Sequence, residues 1–315
     1  MTNCGSDAGD NCCSSLEVTS GSYSRTYTNP GDGGTGEADP ANVSGLRLDK
    51  YLVTVGRFRQ FVNAALPPDG GAGWLPPAGS GKHTHLNGGA GLASAPNVDA
   101  GQTYEPGWSG STADNDAIAP TNTNLGSCSP YSTWTNTAGS PANQENLPIN
   151  CATWQEAYAF CIWDGGFLPS ESEWEYVAAG GSEQLEYPWG STAPGTACPG
   201  TGCEYAIYNC DYPNGSGSCT GVTNIAPVGY ASMGVGRWGQ LDLAGEVFEW
   251  NLDWYASSYA DPCTDCVQLN SGSSYRVLRG GGFGDTASNL LPPTRRSYPP
   301  TSRYGNVGFR CARTP

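Results

Sequence analysis

The chain has 315 residues, with 14 Lys and Arg against 29 Asp and Glu, a formal net charge of -15. Such a surface repels a nucleic-acid backbone or an anionic membrane, and no apolar run reaches the length of a membrane span. Thirteen cysteines beside 45 glycines and 24 prolines predict a loop-rich chain stapled by disulfides in an oxidising compartment, outside the cell or at its surface.

Residues 1–15 read as a polar lead containing Cys4, Cys12 and Cys13, either flexible or a small disulfide knot. Met1-Thr2-Asn3-Cys4 has neither a basic region nor an apolar stretch, so a signal peptide is expected to have been removed, with Cys4 a candidate lipid-attachment residue. The odd cysteine count leaves one thiol unpaired or linked to another chain. Residues 16–315 read as one domain with insertions at 66–147 and 191–224. Leu16-Glu17-Val18 suits a strand, Gly21-Ser22-Tyr23 a turn, and residues 29–40, rich in Gly, Asp and Pro, a loop. Residues 46–53 read as a strand. Thr54 then suits a helix N-cap, followed by Val55, Phe58, Phe61, Val62 and Ala65 on one apolar face.

The first insertion is weakly periodic but carries Trp74, Trp108 and Trp134, which predicts packing rather than disorder. His83 and His85 could share a metal in an extended segment; a polar turn is the preferred reading, since no third ligand is evident. Cys128 and Cys151 are candidates to pin this insertion. Thr153-x-x-Glu156 and Ser170-x-x-Glu173 are capping boxes, each opening a helix that ends at paired glycines. Glu171, Glu173 and Glu175 are explained by the positive end of the helix dipole rather than by catalysis. Cys198, Cys203, Cys210 and Cys219 predict two local disulfides of open connectivity, with zinc as the alternative. Cys263-x-x-Cys266 lies in an Asp/Pro/Thr loop and suits a small structural disulfide better than a redox pair.

Residues 275–279 form a short strand signal, followed by Gly280-Gly281-Gly282-Phe283, an aperiodic span from 285 to 307, and a closing strand signal Gly308-Phe309-Arg310-Cys311-Ala312-Arg313. A long loop held at both ends is a natural place for a binding surface. Asp285, Arg295, Arg296, Tyr298 and Arg303 are the candidates for a concave patch taking an anionic or polar ligand, because guanidinium suits carboxylate, sulfate or phosphate. Buried pairing with Asp and Glu is the competing role for these arginines, and the preferred one for Arg276, Arg279 and Arg310.

Arg279-Gly280-Gly281-Gly282-Phe283 with Gly308-Phe309-Arg310-Cys311-Ala312 resembles the end of the formylglycine-generating enzyme (sulfatase-modifying factor) family. Leu48-Asp49-Lys50-Tyr51, Leu147-Pro148-Ile149-Asn150, the stretch from Leu168 to Tyr176, Tyr187-Pro188-Trp189-Gly190 and Asp242-Leu243-Ala244-Gly245-Glu246-Val247-Phe248-Glu249-Trp250 agree in the family's order. The resemblance implies an α+β, C-type-lectin-like fold with little regular structure. It also implies a bridge from Cys161 to Cys311, worth about 4–5 kcal/mol in the chain-entropy account.

Oxidising members of the family hold copper with two cysteines after the Gly-Gly strand; aligned on Arg279-Gly280-Gly281, those positions are Asp285 and Leu290, and no cysteine lies between Cys266 and Cys311. The expectation is no copper and no formylglycine-generating activity. The family's calcium site would comprise Gly245, Glu246, Val247 and Glu249, with pairing of Glu249 to an arginine as the alternative; its other calcium site is expected to be lost at Ile207. The resulting function is a secreted or surface-attached binding module for protein, glycan or itself. The alternatives are an enzyme with altered oxidative chemistry and a structural subunit of an extracellular assembly.

Overall fold

The protein is described by a computed structural model covering residues 4–5, 9–29, 33–97, 101–139, 144–195, 204–270 and 272–315. Strands β1 (Ser15–Val18), β2 (Gly21–Thr28), β3 (Thr35–Val43) and β4 (Leu46–Asp49) lead into helix α1 (Val55–Ala65). The first insertion contributes β5 (Ala93–Ser94) and the short helices α2 (Thr112–Asp116) and α3 (Asn122–Leu125). Helices α4 (Trp154–Trp163) and α5 (Glu171–Ala178) come next. The rest is strand and loop: β6 (Phe248–Trp254), β7 (Cys263–Thr264), β8 (Cys266–Val267), β9 (Arg276–Arg279), β10 (Arg296–Tyr298), β11 (Val307–Gly308) and β12 (Ala312–Arg313).

Each main helix starts where a hydroxyl can satisfy an orphan amide. The Thr54 hydroxyl accepts from Arg57 N–H at 3.2 Å. Thr153 and Ser170 form complete capping boxes with Glu156 and Glu173. Helix α1 buries Val55, Phe58, Phe61 and Ala65. Phe58 and Phe61 meet Phe160 of α4 at centroid distances of 5.7 and 5.8 Å, and Phe309 closes the same cluster.

The central sheet has the order β10-β9-β6-β11, flanked by β1-β4-β12, β2-β3-β7 and β5-β8. β6 pairs antiparallel with β9 and parallel with β11. The closing strand signal is broken into β11 and β12, because Phe309, Arg310 and Cys311 turn into the core instead of continuing a ladder. The polar stretch expected to be a loop contains β3, and Gly21 to Tyr23 opens β2 rather than a turn. β3 pairs with β2 and, at its end, with β7, so backbone pairing overrides its poor strand composition.

Cys161 in α4 bonds Cys311, the residue before β12, across 150 residues of sequence. Cys128–Cys151 ties the first insertion to the core, and Cys4–Cys12, Cys210–Cys219 and Cys263–Cys266 close short rings. Cys13 is an exposed free thiol. Cys198 and Cys203 lie outside the described residues. Trp108 and Trp134 are buried and Trp74 packs on Phe61 at 6.1 Å, so the first insertion is packed down. Among the described residues no helix is long and apolar enough to cross a membrane.

The His83-Thr84-His85 stretch does form a turn, closed by Leu86 N–H donating to the His83 carbonyl at 2.9 Å, but the first imidazole is not a solvated turn residue. His83 is fully buried; its Nδ1 lies 2.9 Å from Glu105 and its Nε2 3.0 Å from Glu173. Burial works against its charge, but the two carboxylates win and hold its pKa up at about 10. The imidazolium therefore ties the insertion to the first turn of α5.

Candidate functional site

Strand β9 runs directly into Gly280 and Gly281, whose φ angles of 95° and 73° are left-handed and suit a residue without a Cβ. A Cβ on Gly281 would lie 2.9 Å from the Asn289 carbonyl oxygen. The bend brings Phe283, Gly284 and Asp285 to the wall of a cleft of about 340 Å³, completed by Tyr131, Gly305 and Asn306. Tyr131 and Phe283 face each other at 5.5 Å.

Asp285 is half-buried. Its Oδ2 accepts from Gly282 N–H at 3.1 Å and its Oδ1 from the Asn289 amide at 3.0 Å. Burial raises its carboxyl above the ordinary value, with the Gly282 amide and the Arg296 charge opposing. Leu290 is buried in an apolar cluster with Tyr187, Ala206, Tyr208 and Ala244. It offers no donor to a metal.

The candidate arginines do not gather round this cleft. Arg295 donates to both oxygens of Glu171 at 2.6 and 2.8 Å and to the Ala256 carbonyl at 2.7 Å, with Tyr255 and Tyr259 rings beneath it. Arg303 grips Glu156 through two hydrogen bonds of 2.7 and 2.6 Å and donates to the Cys151 carbonyl. Both guanidinium groups face inward because a buried carboxylate needs a partner. Arg296 is exposed, and donates to the Asn289 side chain at 3.1 Å. Tyr298 stacks on Tyr304 at 4.1 Å. Of the five candidates, Asp285 lines the cleft and Arg296 neighbours it through Asn289.

The three α5 glutamates have a larger part than the helix dipole gives them. Arg279 is buried between Glu171 and Glu175, 2.8 Å from each, and donates to the Tyr259 hydroxyl. Arg310 pairs with Glu249 at 2.7 Å. Arg276 has no such acid. It is held between the rings of Trp154 and Trp254, at 3.7 and 3.6 Å, and burial pulls its pKa down to about 9.

The calcium candidates occupy the turn into β6. Gly245 has φ 82° and Glu246 φ 65°; a Cβ on Gly245 would strike the Ile207 carbonyl oxygen. Ile207 is buried and bridges Gly245. Glu249 Oε2 accepts from Arg310, whereas its Oε1 and both oxygens of Glu246 are buried without a hydrogen bond. The Trp174 indole and the Ala226 amide approach these carboxylates without completing one. The Glu249 charge raises the Asp242 carboxyl, and Asp242 in turn raises that of Glu246. Burial raises the pKa of each, that of Asp242 to about 6. These orphaned oxygens are of the hard kind that a divalent cation accepts, but among the described residues no three acidic, histidine or cysteine side chains stand together as a metal-holding group.

Residues 4–315 match the FGE-sulfatase family, described as the sulfatase-modifying factor enzyme 1-like domain. The chain belongs to this family. The formylglycine-generating enzyme of Streptomyces coelicolor is 35% identical over 173 residues, 53% of this chain and 52% of that protein. The inactive C-alpha-formylglycine-generating enzyme 2 of Mus musculus is 32% identical over 171 residues, 53% and 49% of the two chains. The chain thus spans about half the length of the curated relatives it matches. Among solved structures, PvdO from Pseudomonas aeruginosa aligns with a TM-score of 0.56 at 16% identity, over 98% of this chain and 100% of that one. Treponema denticola variable protein 1 aligns at 0.52 and 17%, over 96% and 95%. The family's fold, mixed α/β with few helices, several disulfides and a C-type-lectin-like architecture, is therefore that of this chain.

Tyr131 and Asn306 escaped the sequence reading as cleft residues. Asn306 precedes the Val307-Gly308-Phe309 motif, and its carbonyl accepts from Phe248 N–H at 2.8 Å, so the motif could have pointed to it. Tyr131, in an aperiodic insertion, left no signal.

Proposed function

We propose that this chain is a member of the family that generates no formylglycine, acting outside the cell or on its surface as a binding module for protein or glycan, with the Asp285 cleft as its contact site. The observation that carries the reading is the pair Asp285 and Leu290, aligned on Arg279-Gly280-Gly281: one caps a turn and the other fills an apolar cluster, so neither offers the soft sulfur that copper prefers. The relatives whose printed name is inactive formylglycine-generating enzyme 2 are consistent with it. Five described disulfides support an oxidising location. An aromatic wall with a carboxylate and an amide suits hydroxyl- and amide-rich ligands.

The test is a glycan array probed with calcium and with chelator, beside capture of candidate extracellular proteins. Signal that falls about tenfold in Asn306→Ala, equivalent to about 1.4 kcal/mol, is the expected result. Binding unaltered by Asn306→Ala removes the cleft from the account, and a blank array removes glycans from the ligand class.

Calcium is proposed to be held by Glu249 and Glu246 with the carbonyls of Gly245 and Val247, the two carboxylates being those with oxygens left without a hydrogen bond. When bound, the ion would neutralise these carboxylates and lock the turn into β6. Saturation at about a hundred times Kd stabilises by about 2.7 kcal/mol. Thermal unfolding is expected to shift upward with calcium and back with chelator, and less so in Glu246→Gln. Equal midpoints with and without calcium contradict the assignment.

A further inference from the structure

The Asp285 cleft has sulfur at its edge, brought there from a distant part of the chain. Cys210 N–H donates to the Phe283 carbonyl at 2.7 Å and Asn209 N–H to the Asp285 carbonyl at 2.8 Å. These bonds fasten the second insertion along the 283–285 wall. A Cβ on Gly284 would lie 3.3 Å from Cys219 Sγ and 3.7 Å from Cys210 Sγ. Tyr131, on the same cleft, donates its hydroxyl to the Cys219 carbonyl at 3.2 Å. We propose that the Cys210–Cys219 disulfide is a thiol–disulfide exchange site, and that its substrate is a peptide carrying two cysteines presented at this cleft.

Access separates this bond from the others. A thiolate must reach one sulfur of a disulfide to open it. Cys219 is exposed while Cys210 is 2% exposed, and among the described disulfides no other has an exposed member. Cys263–Cys266 and Cys4–Cys12 also close short rings, but both cysteines of each are buried. Cys161–Cys311 is buried on both sides and constrained by its long loop. Gly284, which lines the cleft, lies against both sulfurs, and a side chain there would come into contact with each of them.

The chemistry follows from the asymmetry. An incoming substrate thiolate attacks Cys219 Sγ and forms a mixed disulfide. The Cys210–Cys219 bond breaks, and Cys210 leaves with the electron pair and takes up a proton. The second substrate thiolate then attacks the substrate sulfur of the mixed disulfide, releasing Cys219, which is protonated in turn. Two electrons and two protons pass from the substrate dithiol to the pair, and the substrate leaves as a disulfide. The protein's own disulfide is the oxidant, so one turnover requires no further reagent.

The intact protein would be equilibrated with graded mixtures of reduced and oxidised glutathione, quenched by alkylation, and each cysteine located by peptide mass spectrometry. Among the disulfide-bonded cysteines, Cys210 and Cys219 are expected to be alkylated first, at a reducing ratio about tenfold milder than Cys263 and Cys266 require, whereas the free Cys13 is alkylated throughout. In a second measurement, Gly284→Ala slows oxidation of a synthetic two-cysteine peptide severalfold while its unfolding midpoint stays that of the native chain. Opening of Cys210–Cys219 no earlier than Cys263–Cys266, or a Gly284→Ala rate equal to the native one, overturns the proposal. Neither measurement depends on the glycan or protein reading of the cleft, whose failure would show on the array instead.

Discussion

At the scale of single residues, His83 makes the sharpest pH prediction. Its pKa in the folded protein is held at about 10 by Glu105 and Glu173, above the ordinary value of about 6.5. A histidine raised in this way stabilises the fold fully below about pH 6.5, and the contribution is lost as pH climbs through 10. Unfolding midpoints should therefore decline between pH 7 and pH 10, and His83→Gln should flatten that decline. At pH 7 the same substitution leaves two buried carboxylates without their cation, at a cost of about 3–5 kcal/mol. A native midpoint that is flat over this range contradicts the assignment. None of this was legible in sequence, since Glu105 and Glu173 are brought to His83 from an aperiodic insertion and from a helix. By contrast, the expectation that Arg279 and Arg310 make buried pairs could be made from how few basic residues the chain has.

At the scale of elements, the helices were the readable part. Hydroxyl caps and acids three residues on are local chemistry, and Thr153, Ser170 and their glutamates behave as local rules say. β3 was not readable, because its partners β2 and β7 supply what its composition lacks. Helix α5 is held through Arg279, which joins Glu171 and Glu175 to the end of β9. Arg279→Met is expected to destabilise by about 3–5 kcal/mol, measured by denaturant unfolding; a loss under 1 kcal/mol contradicts the buried network. Helix α4 is tied to the end of the chain by Cys161–Cys311. Replacing both cysteines with alanine should lower stability by about 4–5 kcal/mol, well beyond the same change at Cys263 and Cys266, whose ring is short.

At the scale of the whole molecule, the motifs legible in sequence lie on β4, α4, α5, β6, β9 and β11, and the cleft is built just after β9 and just before β11. The two insertions carry its remaining wall and its sulfur, and their glycine- and serine-rich sequences hold no periodic signal to place them. Long-range hydrogen bonds such as Cys210 to Phe283 decide where they lie. The family's scaffold is kept, with a leucine and a turn-capping aspartate where the resemblance puts the metal-holding thiols. The most direct measurement is to load the disulfide-intact protein with Cu(I), offer it a peptide cysteine and oxygen, and read the peptide by mass spectrometry. This account predicts no stoichiometric copper and no aldehyde on the peptide; one copper per chain with conversion of the cysteine to an aldehyde would contradict it.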